Sequence, residues 1–326
     1  MADAIKVGIW GGSASGKTTY LAALRIAALQ YPEGRWVIQG MDEKHPYSSK
    51  FLSDNTQSLL SGSFPEPTLD ANAETYSYQV NGHLVSNSAW WKKKLYEILR
   101  LQREVRFILE IYDYPGGVLL RRDPNEKLWE YLADCQGLIY LFDPHQTAVG
   151  TSNFDYLQHS LDMIRHVLVR RHGKAMESGR LPQHLALCIT KFDDDIIFRR
   201  LLNQKLIARA RNDKRLTPFV TDPMKAVRCL ADDLTVATIE GYFEEERVNF
   251  FATSSIGFYV DRNTSVIDIE RCSNTRKKQV KMMVKDEKTG QPVERITEQD
   301  VIAGEIYPVN VFEPLLWLHL KLMNNK

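Results

Sequence analysis

Gly11-x-x-x-x-Gly16-Lys17-Thr18 groups glycines, a lysine and a hydroxyl in one short span. That grouping is suited to holding a polyphosphate. Glycines let successive backbone N–H groups turn inward around an anion. A helix that begins near Lys17 adds the positive end of its dipole. Lys17 can reach the β- and γ-phosphates, and the Thr18 hydroxyl can ligate Mg²⁺. The expected contacts to a nucleotide here are Gly11, Ser13, Ala14, Ser15, Gly16, Lys17, Thr18 and Thr19. The turn points to a nucleoside triphosphate and does not choose between ATP and GTP.

Four further pieces follow along the chain. "GSFPEPTLD" (62–70) is a Pro/Gly-rich loop whose Thr68 can serve Mg²⁺ and the γ-phosphate. "VRFILEIYDYPGG" (105–117) is an apolar run ending in Asp113-x-x-Gly116. A carboxylate there can hold Mg²⁺ through water, and the glycine N–H can meet the γ-phosphate. "HLALCITKFDDD" (184–195) ends in Thr190-Lys191-Phe192-Asp193. Asp193 can accept two hydrogen bonds, from the guanine N1–H and the exocyclic amine. Adenine supplies no such pair, and a mismatched base leaves a buried charge unpaired. The Lys191 stem can pack over the base. "RVNFFATSSIGF" (247–258) ends in Thr253-Ser254-Ser255, where Ser254 and Ser255 are small enough for the backbone to approach the guanine carbonyl. Each piece also has a plain reading as a turn or a solvated strand end. Their joint order is what separates a site from a series of turns.

In that order the chain resembles the Ras-like, translation-factor-related class of P-loop GTPases. The resemblance implies GTP or GDP with Mg²⁺ as cofactors. Lys17 and Thr18 would serve phosphate and metal, Thr68 the first switch, Asp113 and Gly116 the second, and Lys191 and Asp193 guanine. The metal set would be Thr18, Thr68 and Asp113. More narrowly, "SGKTTYLAAL", "GSFPEPT", "GLIYLFDP" and "VNVFEPLLWLHLKL" are similar to the bacterial double-GTPase group tied to conflict and signalling systems. Three departures stand out. Thr190 replaces the asparagine that braces the phosphate loop, and its hydroxyl is expected to take over part of that role. Gly117 follows Gly116 where the family has the glutamine that orients water, so hydrolysis is expected to be slow. Arg121 and Arg122 lie close behind. An arginine that reaches the γ-phosphate adds roughly a thousandfold or more in rate, so Arg121 joins Lys17, Thr68 and Gly116 as a catalytic candidate. The plainer reading of both arginines is solvated loop charge. Asp143, which closes "GLIYLF", reads as a loop or helix-start residue and not as a catalyst.

These residues need elements to position them. Strand-like runs and helical patterns alternate at 5–11, 17–30, 35–40, 47–60, 75–81, 105–112, 137–142, 154–170, 185–190, 247–253 and 311–323. The alternation predicts an α/β P-loop NTPase fold, with a mostly parallel sheet and helices on both faces. Ligands then sit at the carboxyl ends of the strands, where every motif falls. The whole of 1–326 reads as one G domain with insertions at about 83–104, 196–240 and 258–308. Ser86–Glu104 carries Trp90, Trp91 and Lys92–Lys94 on a helical pattern. It suits a protein partner, a membrane surface, or ordinary packing on the sheet. Ile196–Leu216 reads as a basic helix with too few aromatics to stack nucleic acid. "RKKQVKMMVKDEKTGQPVERI" reads as a C-terminal β-hairpin, and "VNVFEPLLWLHLKL" as a closing helix with Pro314 in its first turn.

Composition bounds the rest. The 326 residues are 44% hydrophobic and 25% charged, with a net charge of +1. Such balance gives no general attraction to nucleic acid. No run approaches a membrane-spanning length, and the N-terminus lacks the apolar core of a signal peptide. Four scattered cysteines without metal-ligand spacing suggest a reducing cytoplasm and no disulfide framework. The expected function is a slow GTPase switch whose partner contacts follow nucleotide state. The alternatives are a nucleotide-locked scaffold subunit and an ATP-dependent P-loop enzyme. The last needs an acidic base and a lid, which no motif supplies.

Overall fold

The structure, a computed structural model, describes residues 4–12, 14–32, 35–66, 74–84, 103–113, 126–145, 153–173, 179–210, 213–231, 233–285 and 292–324. The chain begins with β1 (Ala4–Trp10), α1 (Lys17–Gln30), β2 (Val37–Gly40), α2 (Ser48–Leu60), β3 (Glu74–Leu84) and β4 (Arg103–Asp113). It continues with α3 (Glu126–Asp134), β5 (Gly137–Phe142), α4 (Asn153–His172), β6 (His184–Ile189), α5 (Asp195–Asn203), β7 (Ile207–Arg209) and β8 (Pro218–Val220). The last elements are α6 (Pro223–Leu230), α7 (Asp233–Tyr242), β9 (Val248–Ala252), β10 (Thr275–Lys285), β11 (Pro292–Ile302) and α8 (Glu313–Asn324).

Seven strands form one sheet in the order β2-β3-β4-β1-β5-β6-β9. β4, β1, β5, β6 and β9 run parallel, whereas β2 and β3 add an antiparallel edge. This is the α/β P-loop NTPase architecture the alternation predicts. Residues alternate between two cores. Ile5, Val7 and Ile9 of β1, with Ile139, Leu141, Ala186 and Cys188, pack beneath α1, α2 and α8. Trp10, Leu138, Tyr140, Phe142, Leu185, Leu187 and Ile189 pack beneath α3 to α7. Both faces are therefore covered, and every residue of β5 and of β6 is buried. That is why these strands read as continuous apolar runs rather than alternating ones. The four cysteines are free thiols, and burial pushes the Cys135 thiol up to about 12.

Two sequence expectations change in extent. The basic stretch Ile196–Leu216 is not one helix. α5 ends at Asn203, Lys205 takes a left-handed φ of 58°, and Ile207–Arg209 pairs antiparallel with Pro218–Val220. Strand pairing there outweighs helical propensity, which is a weak prior. The C-terminal hairpin is longer than the quoted segment, running from Thr275↔Ile302 to Lys285↔Pro292. The closing helix forms as expected, with Phe312, Leu315, Leu316 and Leu318 buried.

One close approach ties the strand ends to the chain beyond the hairpin. Gly257 has φ +75°, and a Cβ there would lie 2.0 Å from the Tyr307 carbonyl oxygen. Gly257→Ala is expected to lower the unfolding free energy by about 2–4 kcal/mol, combining strain and overlap. Gly241, in α7, has open space around its Cβ position. Gly241→Ala should instead stabilise by up to about 1 kcal/mol through helix propensity. Urea unfolding of both variants measures this, and matching midpoints would refute the assigned crowding at Gly257.

Candidate functional site

The turn after β1 is shaped by crowding. A Cβ on Gly11 would meet the Leu141 carbonyl and Ser15 Oγ, each at 2.6 Å. Ala14 (φ 60°) and Gly16 (φ 87°) take left-handed conformations that coil the backbone before α1 starts at Lys17. Such a turn at a helix N-terminus aims backbone N–H groups at an anion. Lys17 is buried, and its Nζ donates to the Gly11 and Gly12 carbonyls at 3.0 Å each. The Tyr156 hydroxyl, from α4, donates to the same Gly11 oxygen at 2.8 Å. The expected brace from Thr190 is corrected here. Its hydroxyl donates to Phe142 O at 3.1 Å, because it is too short to leave its own strand pair. Tyr156 supports the loop instead. Ser15 Oγ is buried and has no hydrogen-bond partner among the described residues.

The second cluster lies at the ends of β6 and β9. Phe192 N–H donates to Thr253 O at 3.0 Å, and the Phe192 ring is buried against Phe198 and Phe258. This anchors the residue between Lys191 and Asp193. Asp193 is buried and accepts from Ser254 Oγ at 2.5 Å and from the Asn274 backbone N–H. Burial outweighs these bonds and raises its carboxyl to about 6. Ser254 therefore positions Asp193, while its backbone pairs with Val309. Lys191, at a left-handed φ of 57°, places Nζ 2.6 Å from Asp143 Oδ2. Asp143 is a loop residue, as its position predicts, but it is also a buried partner of Lys191. His145 N–H donates to Asp143 Oδ1 at 3.0 Å, and its Nε2 lies 3.1 Å from Asp194 Oδ1.

One cavity of about 530 Å³ joins the two clusters. Ser15, Gly16 and Thr19 line its phosphate-loop end, and Lys191, Asp193 and Ser255 its other end. Phe64, His145 and the hairpin residues Thr275, Lys277 and Asp300 add to the wall. None of these five follows from a motif. Phe64 does sit in "GSFPEPT", where an aromatic beside Thr68 is the available signal. The hairpin is held at its foot. Asn274 Nδ2 donates to Ile256 O and Glu305 O, and Ile302 N–H donates to Gly62 O at 2.9 Å. A larger cavity of about 900 Å³ lies by Tyr31, Arg215 and Tyr307 and contains none of the motif residues. Chemistry, not size, selects the smaller one.

Thr18 stands in the first turn of α1. Asp113 closes β4, opposite Glu74, and its side chain lies outside the described residues. Ser13, Thr68, Gly116, Gly117, Arg121, Arg122 and the Trp90–Trp91 segment also lie outside them. Among the described residues no helix is long and apolar enough to cross a membrane, and no cluster of three His, Cys, Asp or Glu could hold a metal.

No protein-family model and no curated protein matches the chain. Among solved structures it is similar to the Arl6 BBS3 small GTPase of Trypanosoma brucei with bound GppNp, at 14% identity over 78% of this chain and 88% of that one, TM-score 0.33. It is similar to the SRb-GTP/SRX signal recognition particle receptor complex of Chaetomium thermophilum, at 15% identity over 79% and 93%, TM-score 0.34. A third is elongation factor SelB of Methanococcus maripaludis with GppNHp, at 12% identity over 63% and 26%, TM-score 0.25.

Asp193 gives the site a pH signature. Only the ionised carboxylate can accept both guanine donors. If Asp193 makes the guanine contact expected of it from the sequence, guanine-nucleotide affinity falls as pH drops through about 6, by roughly tenfold per unit below it. The unliganded fold should respond oppositely. A carboxyl raised above its unfolded value binds the extra proton when folded, so its contribution to stability rises as pH falls toward the ordinary carboxylate range. Calorimetric titration with GTP from pH 7.5 to 5 checks this, with Asp193→Asn reporting the nucleotide's own titration. Parallel wild-type and variant profiles would remove Asp193 from base recognition.

Proposed function

We propose that the protein binds guanine nucleotides with Mg²⁺ and acts as a slow GTPase switch, a single G domain whose protein contacts follow nucleotide state. One observation carries this reading: a single cavity is lined both by the end of a phosphate loop and by a buried carboxylate beside a lysine. In this reading the loop amides and Lys17 hold the β- and γ-phosphates. The Lys191 stem and the Phe64 ring sandwich the base, a contact that is sequence-tolerant and needs Asp193 for selectivity. Asp193 accepts from N1–H and the exocyclic amine. Ser255, beside it, leaves room for the backbone to reach the guanine carbonyl.

Hydrolysis in this reading is direct. A water oxygen attacks the γ-phosphorus, the β–γ bridging oxygen leaves with GDP, and the water's proton passes to the released phosphate. Lys17 and the loop amides stabilise charge spreading over the phosphate oxygens. Mg²⁺, held by Thr18 together with Thr68 and Asp113, would supply further charge neutralisation. Gly116 and Arg121 are carried from the sequence as γ-phosphate contacts. Gly117, in the place of a water-orienting glutamine, keeps the rate low without a protein activator. The same residue favours the second reading, a scaffold subunit whose nucleotide stays bound, which matches the narrower likeness to the bacterial double-GTPase group.

Calorimetry with Mg²⁺–GTP, GDP and Mg²⁺–ATP, followed by phosphate release over hours, separates the readings. Guanine-selective binding with release is the expected result. Selective binding with no release supports the scaffold, and preference for ATP overturns both. Lys17→Ala should weaken GTP by roughly tenfold to a hundredfold, the worth of charged hydrogen bonds. Asp193→Asn should weaken GTP and GDP by roughly a hundredfold and ATP hardly at all. Equal losses for the two bases would end the assignment of guanine.

A further inference from the structure

We propose that the foot of the β10–β11 hairpin is the ribose subsite, with Asp300 accepting hydrogen bonds from the sugar 2′- and 3′-hydroxyls and Lys277 holding Asp300 in place. The inference rests on the nucleotide reading above and adds a sugar-recognising residue to it. A nucleoside's sugar joins its base to its phosphates, so it must lie between the two lined ends of the cavity. The wall contributed by the hairpin there is Thr275, Lys277 and Asp300. Thr275 and Lys277 are two residues apart on β10 and so share a face. Asp300 lies directly opposite Lys277 on β11, where paired residues also share a face.

The chemistry of this rung matches a vicinal diol. Lys277 Nζ lies 2.9 Å from Asp300 Oδ1 and 3.0 Å from Oδ2. An ionised carboxylate has about four acceptor positions, so one ammonium leaves room for hydroxyl donors. Carboxylates serve ribose hydroxyls in this way in dinucleotide sites. Both side chains are more than half exposed, at 62% and 53%. Such a pair adds little to stability, so exchanging part of it for a ligand contact at the cavity rim costs the fold little. The wall is also registered to the base end. Asn274, next to Thr275, donates its backbone N–H to Asp193, and its side chain bonds Ile256 O. The carboxylate for the base and the carboxylate for the sugar are thus set by one strand start.

The test compares GTP with 2′-deoxy-GTP by calorimetry on the full chain. Wild type should prefer the ribonucleotide by roughly tenfold, the loss of one hydrogen bond to a charged group. Asp300→Ala should reduce that preference to within about twofold by weakening GTP more than 2′-deoxy-GTP, which has only its 3′-hydroxyl bond to lose. Asp300→Asn, which keeps the shape, should give an intermediate preference and covers the case in which the alanine variant fails to fold. Lys278→Ala, on the other face of β10, should leave the preference intact. A preference unchanged in both Asp300 variants overturns the proposal. So does an equal loss for GTP and 2′-deoxy-GTP, which would leave the 2′-hydroxyl unrecognised by this rung. Repeating the pair with ATP and 2′-deoxy-ATP keeps the readings apart. Loss of guanine selectivity with a sugar preference retained sinks only the base assignment, whereas binding without any sugar preference sinks only the ribose subsite. No binding of any nucleotide sinks both.

Discussion

The buried carboxylate of Asp193 is the constraint on which the site depends. An ionised group out of water is costly unless hydrogen bonds replace its hydration, and burial raises this one to about 6. Besides its own backbone N–H, two donors offset part of that cost, Ser254 Oγ from the end of β9 and the Asn274 backbone from the foot of β10. Neither donor can be placed without its element. Ser254 is fixed by backbone pairing with Val309, and its Oγ also accepts from Gly257 N–H at 2.8 Å. The segment between β9 and α8 is therefore part of the site's frame. It carries the hairpin, closes onto the strand ends and delivers the partners that the carboxylate requires.

The sheet supplies the second half of that frame. Parallel strands begin at one end of the sheet and finish at the other, so the loops after β1, β5, β6 and β9 meet at the carboxyl end. The close fit of the cores fixes how the strand ends align. A Cβ on Gly8 would fall 2.5 Å from Leu132 Cδ2, so β1 lies tightly against α3. Trp10, the last residue of β1, is buried against Tyr140 with ring centroids 5.0 Å apart. The phosphate loop leaves the sheet from a rigid aromatic base, and its glycines supply only the backbone shape.

Much of this was legible in the residues, for identifiable reasons. α1 and β5 have the boundaries read from their apolar spacing, 17–30 and 137–142, because each is bounded by a strong signal, the phosphate-loop glycines before α1 and Cys135–Gln136 and Asp143–Pro144 around β5. Local chemistry also placed the hairpin, since alternating charged and apolar residues on both sides of "DEKTGQP" specify paired strands. Non-local pairing was not legible. β7 and β8 are only three residues each and find each other through an intervening loop. The Asp143–Lys191 pair joins residues 48 apart in sequence. Nothing in either local pattern announces it. Phe64, Lys277 and Asp300 enter the cavity wall by tertiary placement, which no motif encodes.

The departure at Thr190 bears on how the two ends of the cavity communicate. The asparagine that the resemblance leads one to expect there would tie the loop after β6 directly to the phosphate loop. Here the threonine hydroxyl stays on Phe142 O, and the phosphate loop takes its support from Tyr156 on α4. The loop after β6 is tied instead through Ser254 and Asn274 toward the hairpin. The hairpin in turn bonds Gly62, in the loop that leads to Phe64, through Ile302 N–H. Among the described residues, then, a hydrogen-bonded route from the Asp193 carboxylate to the loop after α2 runs through the hairpin foot.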